Sequence, residues 1–181
     1  MPLRLITGPG PQHPIDLLTC LHPSPLGVLA LAWTDHGLAA LALQGSLEQV
    51  VAQLRKRLPV GLVRAVEQPE PDCDQLDAYF LGTRKDFDLT VDLRGLPPFQ
   101  ERVLVELCRL GHGESCAYKD LATRIGSPGA PRAVGNALGN NPVAVVVPCH
   151  RVLQQGGRLG GYTGGLDRKR LLLALEGTAL R

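Results

Sequence analysis

The apolar residues near the start of the chain fall in two runs that predict a β-hairpin. Residues 28–33 and 38–43 are mostly apolar, and they flank the polar, glycine-containing segment 34–37. Two such runs on either side of a short turn are typical of paired antiparallel strands. Residues 1–16 hold several prolines and glycines without any periodicity, so we expect an irregular extension there.

Helical periodicity follows the hairpin. Ser46 is predicted to be the N-cap of a helix whose apolar positions run to Leu58, and Gln49 completes a capping-box pattern. A second short helix is predicted around Leu76, Tyr79 and Phe80, and alternation over residues 87–93 predicts a strand. We therefore expect an α/β domain over residues 1–94, with a small antiparallel sheet, helices and a Pro/Gly-rich extension.

From Phe99 the apolar period becomes helical, which predicts a second, mostly α domain over residues 95–181. Two short helices are predicted at 118–125 and 131–138, separated by a break that contains glycine and proline. Such a pair is a candidate helix-turn-helix, although two packed helices without any DNA role give the same pattern. A last helix is predicted over 167–176.

Composition is that of an ordinary globular protein. The chain has 181 residues, of which 44% are hydrophobic and 20% are charged, so disorder is not expected. The longest apolar stretch, residues 28–43, is broken by polar residues and is too short to predict a membrane span. The first residues lack the pattern of a secretory signal, so we expect a cytoplasmic protein with no membrane partner.

Positive charge is concentrated in the second half of the chain. The net charge is +2, but residues 1–96 hold 8 basic and 11 acidic side chains, whereas residues 97–181 hold 11 and 6. The second domain is therefore the candidate for an anionic partner.

Arg132 and Ala133 open a predicted helix that also contains Gly135 and Gly139. Glycines weaken a helix, so we expect this small-residue surface to approach a nucleic acid closely, with tight helix packing as the alternative.

The candidate chemistry lies after the apolar run 143–147, which predicts a buried strand or extended segment. This run leads to Cys149, His150 and Arg151. A thiol is a useful nucleophile when a base takes its proton, and His150 is the candidate base. Consecutive residues of an extended chain point to opposite sides, so a bend or a bridging water is needed. Glu176 opposes the dipole at a helix end and is a candidate to orient the histidine, with a solvated residue at the helix end as the alternative.

The cysteine pattern predicts neither a disulfide framework nor a metal site. The count is odd, and no two cysteines form a Cys-x-x-Cys pair. We therefore expect no metal and no cofactor. The five cysteines are Cys20, Cys73, Cys108, Cys116 and Cys149.

A series of motifs follows in a fixed order from Phe99-Gln100 to Gly177. The motifs are Gly113-Glu114-x-x-x-Tyr118, Arg132-Ala133-Val134-Gly135, Asn141-Pro142, Pro148-Cys149-His150-Arg151-Val152, Gly160-Gly161-Tyr162-Thr163-Gly164-Gly165-Leu166 and Lys169-x-x-Leu172-Leu-x-x-Glu176-Gly177. Together they resemble the O6-alkylguanine-DNA alkyltransferases, also called methylated-DNA-[protein]-cysteine S-methyltransferases. The first half matches more loosely, through Ser24-Pro25-Leu26-Gly27 and Asp77-Ala78-Tyr79-Phe80.

The resemblance implies a repair protein that binds duplex DNA bearing O6-alkylguanine through a helix-turn-helix. It would flip the damaged base out of the stack and transfer the alkyl group irreversibly and stoichiometrically to Cys149. The family pattern implies that His150 takes the thiol proton through a water and is held by Glu176. It also implies that Asn141 fixes the supporting turn and that Tyr118 donates toward the leaving guanine.

The same resemblance implies a base pocket and a DNA surface. Val152, Tyr162 and Thr163 would line the pocket, and Arg132 would fill the gap that the extruded base leaves. We expect DNA contacts from Arg132, Ala133, Tyr118 and Arg151. The free protein is expected to be a monomer, and the resemblance leaves open whether O4-alkylthymine is also a substrate.

Three other functions compete with this one. A non-catalytic alkyltransferase-like lesion binder would lack the acceptor cysteine. A cysteine hydrolase would use Cys149, His150 and Glu176, but no oxyanion-hole motif supports it. A plain helix-turn-helix regulator would leave the Cys-His-Arg segment without a purpose.

Departures from the family pattern concern Leu104, where many members carry Trp, and the polar Asn136 and Asn140.

Overall fold

A computed structural model describes residues 3–67 and 72–180 of the chain, and the molecule consists of two compact units. The first unit runs to Leu96 and includes the short segment Pro142–Ala144. The second comprises Pro97–Asn141 and the residues from Val145 onward. In the described ranges, none of the helices has the length and apolar character that crossing a membrane requires.

The first unit is an α/β unit built on one six-stranded sheet with the strand order β1-β6-β4-β3-β2-β5. The predicted hairpin is confirmed as β3 and β4. The predicted N-cap is confirmed too, because the Gln49 N–H donates to Ser46 Oγ and the Ser46 N–H donates to Gln49 Oε1. The elements are β1 (Arg4–Ile6), β2 (Ile15–His22), β3 (Leu29–Thr34), β4 (Gly37–Ala42), α1 (Leu47–Leu54), β5 (Val60–Ala65), α2 (Asp72–Phe80) and β6 (Thr90–Asp92).

Two expectations for this sheet are wrong. The sheet is antiparallel only through β2, β3 and β4, whereas β5 runs parallel to β2, and β1 and β4 run parallel to β6. Parallel strands need long connections rather than tight turns, so a hairpin pattern does not reveal them. Residues 3–16 are not an irregular extension, since they hold β1 and the start of β2, and residues 1–2 lie outside the described residues. Arg4 pairs with Thr90, 86 residues away, and no local pattern signals such a partner. Within residues 87–93, only Thr90–Asp92 form a strand, which is β6.

The second unit is mostly helical, as predicted. Helix α3 packs on α4 and α5, and α4 packs on α5, with Val103, Leu107, Leu121 and Val134 fully buried. Two short strands, β7 and β8, pair in parallel, with Cys116 opposite Val152. The elements are α3 (Pro98–Leu107), β7 (Cys116–Ala117), α4 (Tyr118–Arg124), α5 (Pro131–Gly139), β8 (Val152–Leu153) and α6 (Leu166–Leu175), with 3₁₀ turns at Cys149–Arg151 and Gln155–Gly157.

The apolar run 143–147 is buried but it is not a strand. Only Val143 makes a bridge, with Leu41 of the first unit, and the following residues form a turn. Val145 has a φ of 71°, a left-handed conformation that a β-branched residue rarely adopts. Such strain persists only where the surroundings hold it in place, and it clusters at functional sites. The run therefore leads into the 3₁₀ turn Cys149–Arg151 and does not continue as a straight strand.

Candidate active site

A cavity of about 590 Å³ in the second unit collects most of the predicted site residues. Its volume falls in the range of pockets that hold small organic ligands. Cys149 is only 7% exposed, and it lies on the wall of this cavity, so the sulfur is reached from there. Other predicted residues on the wall are Tyr118, Arg132, Tyr162 and Thr163.

Cys149 is held by a side-chain amide. Asn141 Nδ2 donates to the carbonyl oxygen of Val147 at 2.8 Å and to Cys149 Sγ at 3.1 Å. Burial raises the pKa of the Cys149 thiol, while the hydrogen bond from Asn141, the charge of Lys169 and a hydrogen bond from Tyr162 act in the opposite direction. Since the net pKa is raised, the thiol keeps its proton at neutral pH and needs a base for reaction.

His150 is placed to act as that base. Its ring is fully buried, and Nε2 lies 3.0 Å from Glu176 Oε1. An ionised carboxylate only accepts hydrogen bonds, so Nε2 carries the ring proton and Nδ1 has a free lone pair. Burial lowers the pKa of His150 despite the nearby Glu176, which keeps the ring neutral. Nδ1 is buried and has no hydrogen-bond partner in residues 3–67 and 72–180, so it is available for a proton.

Glu176 is the centre of a buried ion cluster that includes Arg151. Arg151 Nε donates to Glu176 Oε2 at 2.9 Å, and its Nη2 donates to Oε1 at 2.8 Å. Burial would raise the pKa of Glu176, but hydrogen bonds from His150 and Arg151 lower it well below its usual range. Glu176 therefore stays ionised between two nitrogen donors and fixes the orientation of the histidine ring.

The expected DNA contact from Arg151 is wrong. The side chain is buried, and its remaining donor Nη1 binds the carbonyl oxygen of Leu110. The sequence places an arginine beside a candidate base but does not show that its guanidinium turns toward Glu176, 25 residues away. The structure thus gives Arg151 a part in holding the carboxylate.

Tyr118 stands on the cavity wall at the first position of α4. Its Oη donates to the carbonyl oxygen of Gly161 at 3.2 Å. A Cβ atom at Gly160 would lie 2.7 Å from that hydroxyl and from the ring, so only glycine at position 160 leaves room for this tyrosine. Burial and then the negative charge of Cys149 raise the pKa of the Tyr118 phenol. The hydroxyl therefore stays protonated and can donate.

The other predicted pocket and surface residues are only partly as expected. Val152 is fully buried and does not line the cavity, because its side chain belongs to β8, which pairs with β7. Thr163 Oγ1 donates to the carbonyl oxygen of Gly139 at 2.8 Å, joining the loop after β8 to the end of α5. Arg132 and Ala133 are exposed on α5.

Lys169 lies beside the site residues, although the sequence predicts no role for it. It is fully buried on α6, and burial lowers the pKa of its amine to about 8. Lys169 precedes the buried Leu172 and Leu173 by three and four residues, which places it on the apolar side of α6. This spacing is the sequence signal that indicates a buried lysine. In the described ranges, no group of three or more His, Cys, Asp or Glu side chains is placed to hold a metal ion.

Two family models match the chain. Residues 18–93 match the model "6-O-methylguanine DNA methyltransferase, ribonuclease-like domain". Residues 98–178 match the model "6-O-methylguanine DNA methyltransferase, DNA binding domain". Together the two models span most of the chain.

Individual proteins are similar over most of their length. A "methylated-DNA--protein-cysteine methyltransferase" from Mycolicibacterium paratuberculosis is 46% identical over 153 residues, which cover 84% of this chain and 88% of the relative. A protein of the same name from Methanosarcina barkeri is 39% identical, covering 87% and 96%. The crystal structure of Mycobacterium tuberculosis OGT in complex with DNA has a TM-score of 0.75 and 38% identity, covering 88% of this chain and 93% of that one.

Proposed function

The chain belongs to the 6-O-methylguanine DNA methyltransferase family, and from this premise we propose that it repairs DNA by moving an alkyl group from O6 of guanine to Cys149. The observation that carries the proposal is the position of Cys149. Its sulfur faces a cavity large enough to admit a nucleobase, and the next residue is a buried histidine held by a carboxylate. The reaction consumes the cysteine and needs no cofactor.

The reaction begins with ionisation of the thiol. The proton leaves Cys149 Sγ and passes, through a bridging water, to the lone pair of His150 Nδ1. Glu176 stabilises the imidazolium that forms, because its carboxylate already accepts the Nε2–H. Asn141 Nδ2 donates to the sulfur throughout and so favours the thiolate.

Displacement at the alkyl carbon follows. The thiolate forms a sulfur–carbon bond while the carbon–oxygen bond to guanine O6 breaks, and the electron pair of that bond passes into the guanine ring. Tyr118 donates its proton to the ring, so guanine leaves as a neutral base. The proton on His150 returns to the phenolate through solvent. The thioether has no good leaving group, so the transfer is irreversible and each molecule acts once.

The DNA surface is assigned to α4, α5 and the connection between them, as a helix-turn-helix. Arg132 is exposed on α5 and also lies on the cavity wall, so it stands between the outside and the pocket. An alkylated base must leave the stack to reach a sulfur inside a cavity, and an arginine at the entrance can fill the vacancy. Residues 95–181 would thus bind duplex DNA bearing O6-alkylguanine, with residues 1–94 as a separate domain. The protein would act as a cytoplasmic monomer.

Titration with excess substrate distinguishes this function from a cysteine hydrolase. When the protein is mixed with a tenfold excess of duplex containing O6-methylguanine, we expect one guanine to be restored per protein molecule and no more. The measurement is quantitation of the restored guanine by chromatography after digestion of the DNA. Continued turnover would contradict the proposal and favour a hydrolase. Binding without any restored guanine would favour a non-catalytic lesion binder.

Replacement of Arg132 tests base flipping. Arg132→Ala is expected to slow transfer from methylated duplex by at least about tenfold, since filling the vacancy offsets part of an unstacking cost of a few kcal/mol. Transfer from the free base O6-benzylguanine should change much less, because that substrate needs no flipping. Arg109→Ala, which removes an exposed arginine that does not line the cavity, is the matched control. If transfer from the duplex and transfer from the free base slow equally, Arg132 has no role in base flipping.

A further inference from the structure

Lys169 is a buried cation that the mechanism above leaves without a role. It lies on α6 and is fully buried. Across the described residues, no Asp or Glu side chain forms an ion pair with it. A buried ammonium group without a carboxylate is costly, so a structural role alone explains this lysine poorly.

The amine of Lys169 joins two parts of the site. Nζ donates to the carbonyl oxygen of Val152 at 2.6 Å and to that of Gly161 at 3.4 Å. Val152 closes the 3₁₀ turn of the cysteine, since its N–H donates to the carbonyl oxygen of Cys149. The Gly161 carbonyl is the same group that accepts from Tyr118 Oη. A single side chain therefore contacts both the turn that presents the nucleophile and the loop that holds the proton donor.

The charge of Lys169 also acts on the sulfur. Its Nζ lies 5.9 Å from the centre of the Tyr162 ring, and Tyr162 acts to lower the pKa of the Cys149 thiol. The ammonium of Lys169 lowers the pKa of the Cys149 thiol further, and a thiolate at Cys149 raises the pKa of Lys169.

The other ionisable groups around Cys149 do not supply a comparable charge. Tyr118 and His150 face the site from α4 and the 3₁₀ turn, but burial keeps both neutral at pH 7. The carboxylate of Glu176, at the end of α6, is matched by the guanidinium of Arg151. Arg132 lines the same cavity from α5, but its side chain is exposed, so solvent screens its charge. Lys169 is thus the buried cation whose charge can balance a thiolate.

We propose that Lys169 is a positioning residue for alkyl transfer, which stabilises the thiolate form of Cys149 and holds the Gly161 carbonyl so that Tyr118 stays at the cavity wall. The Tyr118 part rests on the proposed function. The effect on ionisation does not, because it is a property of the free protein and is measured without DNA.

Ionisation of Cys149 is tested with two neutral variants. Lys169→Met removes both the charge and the donor, whereas Lys169→Gln keeps a donor but not the charge. The rate of iodoacetamide addition at Cys149 is followed by peptide mass over a range of pH. Both variants should react about tenfold more slowly than the wild type at pH 7, where the Lys169 amine is protonated. The difference should shrink as pH rises above 8, because the pKa of that amine is about 8 and its charge is lost. Lys85→Met, at an exposed lysine of the first unit, should match the wild type.

The outcomes separate the two proposals. A folded Lys169→Met or Lys169→Gln protein with the wild-type rate of iodoacetamide addition at pH 7 would overturn the effect on ionisation. If that rate falls as expected but the wild-type protein moves no methyl group from DNA, then the proposed function fails while this part of the inference stands.

Positioning of Tyr118 is tested by a double-mutant cycle. The transfer rate from methylated duplex is measured at pH 7 for the wild type, Lys169→Gln, Tyr118→Phe and the double variant, and each rate is divided by the iodoacetamide rate of the same protein. If Lys169 acts through Tyr118, its replacement should slow the wild type at least about threefold more than it slows Tyr118→Phe. Strictly multiplicative effects on the rate would overturn this part of the proposal.

Discussion

Replacement of Cys149 by alanine is expected to abolish alkyl transfer and leave DNA binding nearly unchanged. The sulfur is the only atom in the mechanism that forms a bond to the alkyl group. It lies inside the cavity at 7% exposure, so its removal takes little from the outer surface of the second unit. Transfer is measured as the guanine restored from O6-methylguanine, and affinity is measured by fluorescence anisotropy with labelled duplex. We expect no restored guanine, and a Kd within about threefold of the wild type, since surface contacts stay intact.

A second cysteine serves as the control for this result. Cys108 belongs to the same unit but does not line the cavity, and burial raises the pKa of its thiol to about 12. Cys108→Ala should therefore transfer one methyl group per molecule, like the wild type. Residual transfer by Cys149→Ala, or an equal loss of transfer and DNA affinity, would show that the role of this cysteine is not the formation of the new bond.

Replacement of Glu176 by glutamine is expected to destabilise the fold and to slow transfer together. The carboxylate accepts from both His150 and Arg151, and all three side chains are buried. The variant leaves the guanidinium of Arg151 buried without its counter-charge, a change that costs about 3–5 kcal/mol in buried ion pairs. Denaturant unfolding should show a loss of this size. Transfer should slow at least about tenfold even in the folded fraction, because no negative charge then stabilises the imidazolium of His150.

Glu106→Gln is the matched control, since Glu106 pairs with the largely exposed Arg109. Solvent reaches Arg109 and screens this pair, so it contributes about 1 kcal/mol or less, and this variant should lose little stability. If Glu176→Gln lowers the free energy of unfolding by no more than Glu106→Gln does, the buried ion cluster does not stabilise the fold as described.

Acidification gives a further signature of Glu176. Its folded-state pKa lies below the ordinary value of 4.5, so its contribution to stability is present above pH 4.5 and is lost as pH falls below it. The difference in unfolding free energy between the wild type and Glu176→Gln should therefore shrink below pH 4.5. A difference that stays constant or grows on acidification would place the stabilisation elsewhere.

Local patterns predicted the elements that depend on neighbours in sequence. The hairpin β3–β4, the capping box at Ser46 and the helices of the second half follow from periodicity and turn residues. The parallel edges of the sheet did not follow, because β1 finds its partner β6 only through the tertiary fold. The turn at Val145 was also missed, since an apolar run of small and branched residues is typical of a strand.

The candidate site likewise combines residues that the sequence predicts with contacts that only the tertiary structure reveals. Cys149, His150 and Glu176 stand out by chemistry and spacing, and the structure brings His150 and Glu176 into hydrogen-bond contact beside the cysteine. The partners of Arg151 and Lys169 could not be predicted, because a basic residue is expected at the surface unless its buried acceptor is known. Those acceptors are a carboxylate at the end of α6 and two loop carbonyls.

The most direct test of the central claim is the mass of the protein after reaction with methylated duplex DNA. The wild-type protein is incubated with a slight excess of O6-methylguanine duplex, and the intact chain and its proteolytic peptides are then weighed. We expect every molecule to gain the mass of one methyl group, located at Cys149. A methyl group on another cysteine, or full repair of the DNA with no gain in protein mass, would contradict the assignment of Cys149 as the alkyl acceptor.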